Sequence, residues 1–144
     1  MAFRGTFPYS LDVKNRLTVP AKFRTTLAGG VVLAKGTERC LDIWTPEGFD
    51  AYVDAARVGM HPLSKEAEKI SRYFSANSFD SELDSAGRVM VPRELLDHAG
   101  LDKEVVVNGA DAHLEIWDRA AWAAYNEALF GDIGDIRETL GQTA

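Results

Sequence analysis

Short apolar runs alternate with polar turn residues in the first half of the chain, and the same alternation returns in the second. Leu17-Thr18-Val19 and Val89-Met90-Val91 are apolar or β-branched and too short for helices, so they predict strands, as do the runs that precede Asp12 and Asp84. The intervening Asp-x-x-x-Arg segments are then loops between strands. Pro20 stands where a first helical residue would, Phe23 and Leu27 follow at helical spacing, and Gly29-Gly30 stops the turn; Pro92, Leu95, Leu96, Ala99 and Gly100 repeat the arrangement. A hairpin is predicted next in each half. The first joins Val31-Val32-Leu33 to Leu41-Asp42-Ile43-Trp44; the second joins Val105-Val106-Val107 to Leu114-Glu115-Ile116-Trp117 and turns near Asn108-Gly109. Thr45 and Asp118 occupy N-cap positions of closing helices, in which Phe49, Tyr52, Val53 and Ala56, or Trp122, Tyr125 and Leu129, line one face.

The two halves are copies. Leu11-Asp12-Val13-Lys14-Asn15-Arg16-Leu17-Thr18-Val19-Pro20 returns 72 residues later as Leu83-Asp84-Ser85-Ala86-Gly87-Arg88-Val89-Met90-Val91-Pro92. The offset then grows to 73, matching Leu41-Asp42-Ile43-Trp44 to Leu114-Glu115-Ile116-Trp117, Phe49 to Trp122 and Tyr52 to Tyr125. This divides the chain into a first repeat (1–56), a linker (57–76), a second repeat (77–130) and a Gly-rich acidic tail (131–144), expected to be frayed or to contact a partner. His61-Pro62 breaks the chain before a linker helix capped by Ser64, with Ala67, Ile70 and Phe74 on one face. A half made of short strands is marginal alone, so the expected fold is α+β, with both repeats packed as one pseudo-symmetric core.

Charge changes the picture more than composition does. The 144 residues are 46% hydrophobic and 26% charged, a globular balance, and the net charge of −6 by itself argues against a polyanion partner. Residues 1–40, however, carry seven basic groups against two acidic ones, while the remainder carries nine against twenty. Such asymmetry predicts an anion-facing surface at the N-terminal end. The lone Cys40 cannot form an intrachain disulfide, no apolar run is long enough to span a membrane, and the N-terminus lacks a signal-peptide pattern, so a cytoplasmic protein is expected.

The repeated loop is the main candidate for chemistry. An aspartate can bond the amides of its own turn and hold a guanidinium, leaving the arginine at a protruding tip, where its fork suits guanine edges or phosphates. The same pairs could instead only brace the loops. Little favours catalysis. His61, His98 and His113 are scattered with no metal-ligand spacing, Cys40 reads as a small core or surface residue rather than a nucleophile, and Asp80, Glu82 and Asp84 read as the wet face of a strand. The repeated aromatics read as core. No enzyme activity, metal or cofactor is expected.

With these motifs, from Phe3-Arg4-Gly5 to about Ala128, the chain resembles the MraZ family, itself similar to AbrB-like regulators in which swapped hairpins interleave into a small β-barrel with flanking helices. The resemblance implies a nucleoid-associated transcription factor, often a repressor, that binds direct repeats in the promoter of the bacterial division and cell-wall gene cluster. It also implies double-stranded DNA as partner and a ring-shaped, octamer-like homo-oligomer. Carried over by position, the DNA-contacting residues are Arg16 and Arg88 with Lys14 and Asn15, and the loop-positioning residues are Asp12 and Asp84. Asn15 stands where the family's first loop commonly has glycine, and Asn tolerates the same left-handed backbone. The second loop lacks a lysine, so Arg16→Ala is expected to weaken DNA binding more than Arg88→Ala. An antitoxin-like protein-interaction module is the alternative.

Overall fold

The computed structural model describes residues 2–143. Its strands are β1 (Thr6–Ser10), β2 (Arg16–Thr18), β3 (Val31–Lys35), β4 (Leu41–Trp44), β5 (Ser78–Ser81), β6 (Arg88–Met90), β7 (Glu104–Gly109) and β8 (Leu114–Asp118). Its helices are α1 (Pro46–Ala56), α2 (Lys65–Ala76), α3 (Arg93–Ala99) and α4 (Arg119–Thr143). The α+β class follows.

The repeats interleave. Six strands form one sheet in the order β1-β7-β8-β4-β3-β5, and β2 pairs with β6 in a separate two-stranded ribbon. Thus β1 of the first repeat lies against β7 of the second, β5 against β3, and the two hairpins meet along β4 and β8. All these pairings are antiparallel, so alternate side chains face opposite sides. The inward residues Leu33, Leu41, Ile43, Val105, Val107, Leu114 and Ile116 form the main core with Leu17, Val19, Val89 and Val91 from around the ribbon. Phe23, Leu27, Leu95, Leu96 and Ala99 complete it.

The outward face of the sheet carries two aromatic clusters, one per repeat. Trp44 packs with Phe49, Tyr52, Val53 and Phe74 under α1 and α2, and Trp117 packs with Trp122 and Tyr125 under α4. The predicted caps hold α1, α2 and α4 at their entries. Gly48 N–H donates to Thr45 Oγ1 at 3.0 Å, Ala67 N–H to Ser64 Oγ at 3.2 Å, and Ala121 N–H to Asp118 Oδ2 at 3.0 Å.

Three local expectations need correction. Pro20 and Pro92 sit at the N-cap rather than the first helical position, and in the first repeat only a single 3-10 turn, Ala21–Phe23, follows. The second repeat continues into α3 with Leu, Glu and Ala, whereas the first meets Thr25-Thr26 and Gly29-Gly30, which are poor helix formers. Asn108-Gly109 does not turn. It stays in β7 because β1 pairs alongside: Gly109 N–H donates to the carbonyl of Gly5 at 2.8 Å, and the backbone at Phe3 and Arg4 leaves no room for a Cβ at Gly109. The turn comes one step later, where Ala110 N–H donates to His113 O at 2.9 Å and Asp111 takes φ +67°. Finally, the tail from 131 to 143 is helical rather than frayed. Phe130, Ile133, Ile136 and Leu140 recur at helical spacing without a proline, and the glycines, at a cost of roughly 1 kcal/mol each, do not interrupt the helix.

Candidate nucleic-acid interface

Both Asp-x-x-x-Arg loops are built atom for atom alike. In the first, Asp12 Oδ1 accepts from the backbone N–H of Lys14 at 2.9 Å and of Arg16 at 2.8 Å, while Oδ2 accepts from Arg16 Nε at 2.7 Å. In the second, Asp84 Oδ1 accepts from Ala86 and Arg88 N–H at 2.9 and 2.8 Å, and Oδ2 from Arg88 Nε at 3.0 Å. Four residues reverse the chain around one carboxylate. The reversal needs a left-handed residue just before the arginine, supplied by Asn15 at φ +56° and Gly87 at φ +76°.

The anionic form of each aspartate is what the loop recognises. Backbone donation from the arginine, reinforced by its guanidinium and by the second amide, holds both Asp12 and Asp84 below the ordinary carboxylate value. Each aspartate engages only the Nε side of its arginine. Among the described residues, the terminal guanidinium nitrogens of Arg16 and Arg88 have no acceptor, so the outer edge of each fork is open to a ligand.

The ribbon puts these forks side by side. Arg16 lies opposite Met90, Leu17 opposite Val89, and Thr18 opposite Arg88. Leu17 and Val89 point into the core and are fully buried, so Arg16, Thr18, Arg88 and Met90 share the outward face. Arg16 and Arg88 are diagonal neighbours, which in antiparallel pairs sit roughly 7–8 Å apart. Each loop also clasps the other's strand, with Val19 N–H donating to Gly87 O at 2.9 Å and Val91 N–H to Asn15 O at 3.0 Å. Val13 and Lys14 project into solvent at the first tip, as do Ser85 and Ala86 at the second. The DNA major groove is wide enough to admit a two-stranded ribbon.

Sequence reasoning missed a third guanidinium here. Arg24 donates from Nε to the carbonyl of Val19 at 3.0 Å and crosses directly over Gly87, whose missing side chain leaves its space. Its signal was the basic bias of residues 1–40, without a clue to position.

The residues set aside for lack of spacing do not all lie apart. Asp80 is exposed at the edge of the sheet in β5, and among the described residues His61 and His98 bond only backbone groups, Leu63 N–H and Glu38 O respectively. His113 and Cys40, by contrast, both approach Asp42 on the outward face of the sheet. His113 Nε2 is 3.6 Å from Asp42 Oδ1 and 3.2 Å from Glu115 Oε2, and Cys40 Sγ is 3.7 Å from the same Asp42 oxygen. Burial pushes Asp42 up to about 6 and raises Cys40 strongly, whereas the bonds from His113 and Trp117 lower Glu115. The alternation that could have grouped them was in the sequence: Cys40 and Asp42, like His113 and Glu115, are two apart in strand runs at the repeat offset.

Comparison with known proteins adds a family. The model of the family described as "MraZ protein, putative antitoxin-like" matches residues 2–71 and 74–132. Among curated proteins, the chain is 45% identical over 137 residues to "Transcriptional regulator MraZ" of Salinispora arenicola, covering 94% of this chain and 95% of that one. Proteins of the same name from Frankia alni and Lachnoclostridium phytofermentans are 39% and 34% identical, each over 139 residues and 96% of this chain. They are covered over 96% and 97% of their own lengths.

Proposed function

The chain belongs to the MraZ family of transcriptional regulators, and from that premise we propose that it regulates transcription by binding DNA through the β2–β6 ribbon. The observation that carries the reading is the pair of identical Asp–Arg loops presenting Arg16 and Arg88 on one outward face. Asp12 and Asp84 act as positioning residues. Arg16 and Arg88 read base edges, each good bidentate contact discriminating by about 1–3 kcal/mol, while Lys14 neutralises phosphate and Asn15 shapes the tip.

The finer reading is of a nucleoid-associated, cytoplasmic repressor of the division and cell-wall gene cluster, acting on direct promoter repeats. One ribbon covers only a few base pairs. Direct repeats therefore suit several copies in a ring, whose linked ribbons bind by avidity while the acidic surface of each chain faces away. The exposed residues Phe130, Ile133 and Ile136 of α4 offer an apolar surface for such assembly. No helix among the described residues is long and apolar enough to cross a membrane.

A second reading, an antitoxin-like module that seats a partner protein on the same α4 surface, is favoured by the description of the matching family model. Fluorescence anisotropy separates the two. Labelled DNA from upstream of the protein's own gene cluster, compared with scrambled DNA across a salt series, is expected to bind selectively and more weakly as salt rises. Arg16→Ala is expected to lose more affinity than Arg88→Ala, because only the first loop has a neighbouring lysine. Equal weak binding of both DNAs, or arginine variants that bind like the parent, would reject the ribbon reading and direct attention to co-purifying proteins.

A further inference from the structure

The outward face of the six-stranded sheet holds a second pseudo-symmetric constellation, unconnected with the arginine loops. Cys40 and Asp42 come from the first repeat and His113 and Glu115 from the second, at equivalent positions of equivalent strands under the 73-residue offset. Asp42 and Glu115 are direct partners where β4 crosses to β8, on the seam between the repeats. Each repeat thus contributes one carboxylate and one softer donor, thiol or imidazole, two residues before it.

Three of the separations match those of ligands around a small ion. For zinc, ordinary bond lengths give tetrahedral edges of about 3.4 Å between nitrogen and oxygen ligands and about 3.6 Å between sulfur and oxygen. Here His113 Nε2 is 3.2 and 3.6 Å from the Glu115 and Asp42 oxygens, and Cys40 Sγ is 3.7 Å from Asp42 Oδ1. The ligand atoms of Cys40, Asp42 and Glu115 all fall within 4.8 Å of one another; His113 stands outside that mutual set, against the two carboxylates, and reaches a common ion by moving toward Cys40. Trp44 stacks on the imidazole at 4.2 Å and 8°, fixing the ring plane.

A separate observation points to a missing component at this place. Asn108, only 3% exposed, lies directly opposite Glu115 across the β7–β8 pairing, and neither end of its amide has a hydrogen-bond partner. Buried polar groups normally find partners, and the Asn108 amide oxygen beside Glu115 is an acceptor that a cation or its bound water would engage.

We propose that Cys40, Asp42, His113 and Glu115 form a divalent-cation site of zinc type, closing the seam between the two repeats. Thiolate, imidazole and two carboxylates make a mixed, borderline donor set, which suits zinc over the oxygen-seeking magnesium or calcium. On binding, lone pairs of Sγ, Nε2 and one oxygen of each carboxylate enter the coordination sphere. The Cys40 thiol proton leaves to solvent, and the imidazole proton that Nε2 gives to the Glu115 carboxylate is released while Nδ1 carries the one that remains, which frees the Nε2 lone pair. The double charge of the ion offsets three anionic ligands that burial otherwise crowds together.

The test is titration of the full-length chain, kept reduced with a phosphine, with Co²⁺ as a spectroscopic probe and Zn²⁺ as competitor. The expected result is about one ion per chain, with four-coordinate visible bands, a thiolate-to-cobalt charge-transfer band, and loss of both on adding Zn²⁺. Zn²⁺ should also raise the thermal midpoint, and a chelator should reverse the rise. Cys40→Ser should abolish the charge-transfer band, and His113→Gln should weaken affinity by roughly 100-fold or more, while His61→Gln, an exposed histidine outside the cluster, binds like the parent. No stoichiometric uptake by the parent chain would overturn the site whether or not the variants fold. So would uptake without the charge-transfer band, or uptake unchanged in Cys40→Ser and His113→Gln.

Discussion

At the scale of single residues, the aspartate of each loop does more than neutralise an arginine. Its backbone hydrogen bonds come first among the causes that lower Asp12 and Asp84 from the ordinary 3.8, and both carboxylates stay in contact with water. A carboxylate depressed by folding contributes stability that is complete above its unfolded pKa and fades as pH falls through the folded one. The loops should therefore hold their shape down to the ordinary aspartate range and open only below it. Carboxyl-carbon NMR titration should give midpoints under 3.8 for both residues. In Arg16→Ala the Asp12 midpoint should rise only part of the way, because the Arg16 amide remains; a return to the full unfolded value would mean that the side-chain pair alone holds the loop. The left-handed positions differ in a second way. At Gly87 a Cβ would run into Arg24 as well as strain a φ of +76°, whereas Asn15 already carries its side chain. Gly87→Ala should cost about 1–2 kcal/mol in denaturant unfolding, and Asn15→Gly should stay within about 0.5 kcal/mol of the parent.

At the scale of elements, the ribbon is short, with three register pairs, and its hydrogen bonds alone cannot hold it in place. What seats it is the burial of Leu17 and Val89 beneath the outward arginines. Leu17→Ala should therefore lower stability by about 2–5 kcal/mol and disturb both loops at once, since each clasps the other's strand. Amide exchange near Arg88, in the opposite repeat, would reveal the disturbance; unchanged protection there would show that the loops are independent. This element was largely legible beforehand because its determinants are local: an aspartate bonding amides two and four residues on, a left-handed residue, then a three-residue apolar strand. Elements decided by distant partners were not legible. Asn108-Gly109 has the composition of a hairpin turn, yet β1, roughly a hundred residues upstream, pairs along it and keeps it extended. The first proline-led helix shrank to one turn through its threonines and glycines, which proline and spacing had masked. Cys40 and His113 lie far apart along the chain and come to the same carboxylate, Asp42, only once β4 pairs with β8.

At the scale of the whole molecule, the repeat visible in the sequence is not a repeat of two independent units. Severed between the copies, the first half would keep the β3–β4 hairpin but lose β7 from β1, β6 from β2, β5 from β3 and β8 from β4. The second half would keep only the β7–β8 hairpin. Each would also expose its share of a core in which Leu17, Leu33 and Ile43 of one repeat pack with Val89, Val107 and Leu114 of the other. A lone hairpin is marginal in water, and a half this size cannot offset chain entropy with half a core. Residues 1–76 and 77–143 expressed separately should therefore be unfolded as monomers by circular dichroism, and should regain strand signal when mixed in equal amounts. Because the copies share one pattern, each half can also complete itself with a second copy of the same half in place of the missing partner. Sedimentation should then show a dimer wherever a half folds alone. A half that is both folded and monomeric would break the argument, because it would require some strand to find within its own repeat the partner that the intact chain takes from the other.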